Sequence, residues 1–195
     1  MPENRPSRSR RAVRESAFQA LYMIHLSGLN FRTALETVLF RKTFASVAEK
    51  FLRSLVKGAS DHLTEIDEII APCLSKGWTL NRLAVSDLTA LRLATYELYH
   101  LPGIPPKVTI AEAVRLAEKF GNQDSASFVN GMLRTILSQS PKVEWDPSQE
   151  EQIPDLDSDE TADASDEDVD VEESTDESGV QAGSWTIRAE DSQTS

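Results

Sequence analysis

The sequence is poor in the residues that most often carry chemistry. One cysteine, Cys73, stands in 195 residues, so no intrachain disulfide can form and a reducing compartment is expected. No run of about 18 apolar residues occurs, which leaves no candidate transmembrane helix. The Arg- and Ser-rich start lacks a secretory apolar core and runs straight into an amphipathic helix, so it reads as a retained segment of a cytoplasmic protein. Gly-rich phosphate loops, Gly-x-Ser-x-Gly and Cys-x-x-Cys are missing. His25, His62 and His100 are scattered, none in a metal-ligand spacing with another His or with Cys73. Glu112 and Glu118 pair only by eye. The chain is therefore expected to have no catalytic set, no metal and no cofactor, and not to be an enzyme. Strict apolar–polar alternation is lacking too, which argues against strands.

Basic residues are scarce in one region only. Residues 141–195 hold 2 basic against 19 acidic residues, a net of −17, whereas residues 1–140 hold 18 against 13, a net of +5. The formal charge of −12 hides this asymmetry. A basic body with an acidic tail points to nucleic-acid contact by one part. Asp155 to Glu177 has no aromatic residue and cannot bury enough apolar surface to offset its ordering entropy, so residues 141–195 are expected to be a disordered acidic tail. Trp185 and Ile187 are isolated apolar exceptions within it.

The body reads as all-α. Residues 1–9, with two prolines, should form a flexible basic arm. From about Arg10, Val13, Ala17, Ala20, Leu21 and Ile24 form one helical stripe ending near Gly28. An amphipathic segment spans Phe31 to Phe40. Val47, Phe51, Leu55, Ala59, Leu63, Ile66 and Ile70 predict one long helix to Pro72, with Gly58 marking a kink or close packing. A short turn over Thr79–Val85 precedes a helix starting at Ser86 or Asp87. Thr109 and Glu112 fit a capping box for the next helix, with Gly121 in the left-handed position past its end. Asp124 or Ser125 caps the last helix, striped by Val129, Met132, Leu133, Ile136 and Leu137.

Arg5, Arg8, Arg10, Arg11 and Arg14 crowd the start of the first helix, where cations oppose the helix dipole at about 0.3–1 kcal/mol each. A local rule broken this way favours phosphate binding over a merely solvated charged face. Phe128, one position off the last stripe, reads on spacing alone as a core residue; the alternative is a stacking face for an unpaired base. Tyr22 is open between core edge and partner contact.

The segments Arg10-Arg11-Ala12-Val13-Arg14-Glu15-Ser16-Ala17-Phe18-Gln19-Ala20-Leu21-Tyr22, Ala90–Leu98, Lys107-Val108, Glu112-Ala113, Lys119-Phe120-Gly121 and Ser127-Phe128-Val129-Asn130-Gly131 together resemble the NusB family of bacterial transcription antitermination factors, over roughly residues 8–139. Ala111 departs from the family's usual Asn. The resemblance implies a compact bundle of about seven helices in two packed sub-bundles, spanning residues 10–140. It implies binding to the single-stranded boxA element of nascent ribosomal RNA operon transcripts, together with the small ribosomal protein NusE. Such a complex promotes read-through by RNA polymerase. It implies RNA contact by Arg10, Arg11 and Arg14 and by Asp124, Ser125 and Phe128, and partner contact by Tyr22 and Asp87. NusB-like domains also occur fused to ribosomal RNA methyltransferases, but no βαβ pattern follows here. The competing class is a protein-binding helical scaffold without sequence-specific RNA binding. The tail's charge would compete with RNA for the arginines, most strongly at low salt.

Overall fold

The computed structural model describes residues 6–146 and 148; the expectations for residues 1–5 and for the acidic stretch from Asp155 onward lie outside the described residues. Seven α-helices and two short 3-10 turns make up the described part, and no strand occurs among the described residues. The first helix, α1 (Arg10–Ser27), starts at Ser9, whose Oγ accepts from the Ala12 N–H at 3.2 Å. It ends at Gly28, which takes the left-handed conformation (φ 63°) that costs a glycine little. Asn30 caps α2 (Phe31–Arg41) by accepting from the Thr33 N–H at 3.0 Å.

The single long helix expected over Val47–Pro72 is two helices, α3 (Ser46–Asp61) and α4 (Leu63–Ile70). The break falls at His62 (φ −98°, ψ 15°), not at Gly58. Gly58 stays helical for a packing reason. A Cβ there would lie 1.9 Å from the Tyr96 hydroxyl oxygen, so the missing side chain lets Tyr96 lie against α3. Pro72 ends this region inside a 3-10 turn, Ala71–Cys73, and a second turn, Leu80–Arg82, precedes α5 (Val85–His100).

The entry to α6 (Pro106–Phe120) also differs from expectation. Pro106 is the first helical residue, where its fixed φ and missing N–H cost nothing. Thr109 therefore lies inside the helix, and its hydroxyl donates to Glu97 Oε2 at 3.0 Å instead of capping. Glu112 turns to Arg11 and Arg115. Gly121 is extended, not left-handed (φ −99°, ψ −157°). It must still be glycine, because a Cβ would sit 2.3 Å from Ser125 Oγ. The last helix is α7 (Ser125–Ser138).

Packing resolves into two triangles, α1–α2–α3 and α5–α6–α7, joined chiefly where α1 meets α5. The two sub-bundles implied by the resemblance are thus present. Helix α5 is buried on every side from Asp87 to Leu98 except at Arg92, as expected of a helix without a solvent face. Two polar groups run into this interior. Arg14 of α1, 3% exposed, meets Glu97 of α5, 1% exposed, through Nε–Oε1 and Nη2–Oε2 contacts of 2.8 and 3.1 Å. Lys142 donates from Nζ to the carbonyls of Glu97, Leu101 and Ile104 at 2.5–2.8 Å, clasping the end of α5 and the turn that follows it. Burial pulls the Lys142 ammonium down to about 8, the Glu97 carboxylate opposing and Arg14 reinforcing the fall.

Both edges of the body move outward from the expected positions 10 and 140. Ser7 bridges to Phe44, exchanging backbone hydrogen bonds with Thr43 and Ala45 at 2.9 Å, so this part of the arm is fastened. At the other edge Trp145 Nε1 donates to the Pro102 carbonyl at 3.1 Å. With Lys142 buried, the packed body reaches at least Trp145.

Candidate nucleic-acid interface

Basic side chains gather at the start of α1 and along the adjoining side of α6. Arg11 is the outermost of the ion-paired ones, its side chain 66% exposed while its Nε lies 3.3 Å from Glu112 Oε1. Arg8 is exposed and Arg10 half-buried. From α6, Arg115 reaches Glu112 at 3.0 Å and Glu15 at 3.7 Å, and Lys119 reaches Glu15 at 2.6 Å. Arg11, Arg115 and Lys119 thus share two carboxylates, and the excess is positive. The Arg115 pairs are part-buried, but the Arg11–Glu112 and Lys119–Glu15 pairs are exposed and contribute little to stability, so Arg11 and Lys119 can exchange a carboxylate for a phosphate at low cost.

Arg14 does not join them. The structure corrects its expected place: the guanidinium is buried against Glu97 and lies over the Phe51 ring at 5.7 Å. A buried charge requires a paired partner, and Arg14 has one inside the protein.

A groove of about 550 Å³ runs between the connection preceding α5 and the start of α7. It gathers four of the expected site residues, Asp87, Asp124, Ser125 and Phe128. Asp124 is exposed and Phe128 half-buried, its inner side packed on the core. The two readings of Phe128 are therefore compatible. Asp87, in the first turn of α5, is 7% exposed. Ser125 is 1% exposed, and its Oγ accepts from the Asn122 N–H at 2.9 Å. That geometry corrects the expectation of direct RNA contact: Ser125 shapes the α6–α7 link. Asn122 Oδ1 accepts in turn from the Asp124 N–H at 2.9 Å, so the link is folded by its own side chains.

The groove also holds residues that sequence reasoning passed over. Trp78, half exposed, lies in the opposite wall with the Arg82 guanidinium 5.4 Å over its ring. Arg82 also donates to the Gly77 carbonyl at 3.0 Å, holding that connection in shape. The available signal was an aromatic outside every apolar stripe, next to a glycine and close to an arginine.

Tyr22 lies elsewhere, in a second groove of about 370 Å³ with Phe18, Gln19, Met23, Arg41 and Phe120. Its ring stacks with Phe18 at 6.1 Å, and Phe18 with Phe120 at 4.8 Å. The two expected partner contacts, Tyr22 and Asp87, thus occupy different grooves. Phe120 lines one and Asn122 the other, with Gly121 between them.

Comparison with known proteins shows the family and the fold. The NusB family model matches residues 11–138. The transcription antitermination protein NusB of Symbiobacterium thermophilum is 39% identical over 137 residues, covering 66% of this chain and 89% of that one. Among solved structures, NusB of T. maritima is 37% identical with a TM-score of 0.65, covering 70% of this chain and 96% of that one. A crystal structure of antitermination factors NusB and NusE in complex with dsRNA gives 31% identity and a TM-score of 0.63, covering 67% and 96%. The solution structure of NusB from Aquifex aeolicus gives 32% and 0.59, covering 77% and 99%.

Proposed function

The chain belongs to the NusB family, and we propose that it is a transcription antitermination factor that binds boxA-type single-stranded RNA together with the ribosomal protein NusE. The work it does is binding rather than catalysis. Arg10 and Arg11, with Arg115 and Lys119 beside them, neutralise phosphates and set affinity. Phe128 and Trp78 offer aromatic faces to unpaired bases, and Asp124 offers a carboxylate to base donors. Tyr22 and Asp87 dock the protein partner. The assembled complex acts on RNA polymerase transcribing ribosomal RNA operons.

The observation that carries this reading is the groove that places Asp124, Phe128, Trp78 and Asp87 in one cleft. Its support is the family membership and the solved relative, a complex of NusB, NusE and RNA. A second reading, the protein-binding scaffold, draws on one specific observation: Arg11, Arg115 and Lys119 are already paired with Glu15 and Glu112.

The test is binding of a boxA-like single strand against a scrambled strand, with and without NusE, at two salt concentrations. Preference for the boxA-like strand, strengthened by NusE, is expected. Changing Arg10 and Arg11 to Ala should lower the salt slope by roughly 0.7 for each phosphate that is no longer neutralised. Equal binding of both strands with NusE present would overturn the reading in favour of the scaffold.

A further inference from the structure

The break between α3 and α4 brings two histidines together that the sequence leaves far apart. His62 occupies the break itself, Glu65 lies in the first turn of α4, and His100 is the last residue of α5. Helix α4 packs against α5, so the three side chains meet. His62 Nδ1 is 2.9 Å from Glu65 Oε2, and His100 Nε2 is 3.6 Å from Glu65 Oε1. The two imidazole centroids are 4.1 Å apart, and the Tyr96 ring backs His100 at 5.1 Å.

His100 Nε2 is buried and has no hydrogen-bond partner. A buried polar atom in that condition calls for an explanation, since leaving it unpaired costs free energy. Glu65 is too far away to supply a good hydrogen bond. A cation between the three groups would supply the missing interaction. Burial, with His62 adding to it and Glu65 opposing, lowers the His100 pKa.

The geometry suits a small ion. Three donor atoms, one from each residue, lie within 4.8 Å of one another. Tetrahedral coordination with bonds of roughly 2.0–2.1 Å separates donor atoms by roughly 3.3 Å, so donors that already lie within 4.8 Å need to close by little to share one ion. Two imidazoles and one carboxylate make a nitrogen-rich set that suits zinc-like ions, whereas calcium and magnesium require oxygen ligands. Three protein ligands leave a fourth position open, and the half-exposed side chains of His62 and Glu65 leave a way in from solvent.

We propose that His62, Glu65 and His100 form a binding site for a zinc-class divalent ion, which ties the α3–α4 junction to the end of α5. The site is separate from the RNA reading and can fail or succeed without it.

The experiment uses the full chain, stripped with chelator and titrated with Zn²⁺ or Co²⁺ in excess Mg²⁺, which occupies the acidic tail. One ion per chain is expected, with the visible absorption of four-coordinate Co²⁺ and a melting temperature that rises with Zn²⁺. His62→Ala and Glu65→Gln, at half-exposed positions, and His100→Asn should each weaken binding at least about tenfold, no less than losing an outer-shell partner does. Each should also abolish the Zn²⁺-dependent rise in melting temperature. If His100→Asn fails to fold, the other two variants decide. Unchanged stoichiometry and affinity in His62→Ala and Glu65→Gln would overturn the proposal by placing the ion in the tail. So would the lack of Zn²⁺ binding in Mg²⁺; the cluster would then be a hydrogen-bonded trio only.

Discussion

Replacing Arg14 by Met tests whether the arginine run at the start of α1 is one functional unit or two. The substitution keeps the apolar stem and removes the guanidinium. Glu97 then remains buried, is deprived of both hydrogen bonds of 2.8 and 3.1 Å, and keeps only the Thr109 hydroxyl at 3.0 Å. Removing one partner of a buried ion pair costs about 3–5 kcal/mol where the other charge is left uncompensated; the Lys142 ammonium still acts on Glu97, so the lower end of that range is expected. Against a usual total of roughly 5–15 kcal/mol this is a large fraction. For a folded body of this size it corresponds to a drop in Tm of roughly 10–20 °C.

The assay is thermal and urea unfolding followed by far-UV circular dichroism, with RNA affinity measured at a temperature where the variant is folded. Arg14→Met should lose stability while its folded fraction binds RNA as the parent does. The double variant Arg14→Met, Glu97→Met removes both charges and should recover part of the loss, as buried pairs often tolerate apolar replacement, the rest being withheld because Lys142 and the Thr109 hydroxyl lose the carboxylate too. Arg11→Ala should do the reverse, shifting stability by less than about 0.5 kcal/mol while weakening RNA binding. An Arg14→Met protein that melts with the parent yet loses RNA affinity would refute the reasoning. Arg14 would then reach the RNA, and the pairing with Glu97 would not be what matters.

Four further outcomes follow from the same physics. Ending the chain at residue 148 should leave Tm unchanged, whereas ending it at 140 removes Lys142 from three carbonyls and should cost roughly 2–4 kcal/mol; equal melting of the two truncations would refute the extended boundary. The 148 truncation should also bind RNA more tightly than the full chain at low salt and equally at high salt, since the removed charge is screened there; identical affinities at low salt would end the idea of competition by the tail. Gly121→Ala drives a Cβ into Ser125 Oγ and should weaken RNA binding along with stability, roughly 1–3 kcal/mol by unfolding, because the start of α7 must shift; unaltered affinity would detach that link from the site. His25 accepts from Arg92 at 2.7 Å, and burial, then Arg92, lowers its pKa below 6.5 with Asp67 opposing. The unfolded chain therefore takes up more protons as pH falls through about 6.5, and stability is lost in acid. His25→Gln should flatten that slope in urea titrations from about pH 7.5 to 5.5, and an unchanged slope would count against it.

Much of the fold was legible because the apolar stripes are long and their punctuation is local. Gly28 acts within one turn of where it stands, so spacing sufficed to mark it, whereas the caps Ser9 and Asn30 emerged only with the structure. The long helix over Val47–Pro72 was misread because its stripe keeps period across His62; only the packing of α4 against α5 reveals the bend. The Thr109–Glu112 pattern was misread because a capping box is a claim about position, and Pro106 starts the helix three residues earlier. Gly121 was correctly singled out for the wrong reason, since its constraint is the neighbouring Ser125 side chain and not its φ. Of the site, Asp124 and Phe128 were reachable through the resemblance. Trp78 and Arg82 were not, because they meet α7 only through the tertiary fold.

Arg14 was hard to place from sequence because spacing does not separate it from its neighbour. On a helix, residues three and seven positions on share a face; for Arg14 these are Ala17 and Leu21, for Arg10 they are Val13 and Ala17, and all belong to the apolar stripe. Only the structure tells the two apart, with Arg14 buried and Arg10 half-buried. An arginine inside a stripe requires a buried acid, and Glu97 is an acid set among Tyr96 and Leu98 on a helix with almost no solvent face. The pair then acts as more than a contact. Glu97 receives Arg14 from α1 and Thr109 from α6, and gives its carbonyl to Lys142 beyond α7. Such a group adds little net stability against an apolar isostere, but it allows few alternative packings. It fixes α1, which carries the basic face, relative to α6, whose end leads through Gly121 to the groove. If Arg14→Met keeps its RNA affinity, Arg14 serves the candidate interface by fixing α1 against α5 rather than by touching RNA.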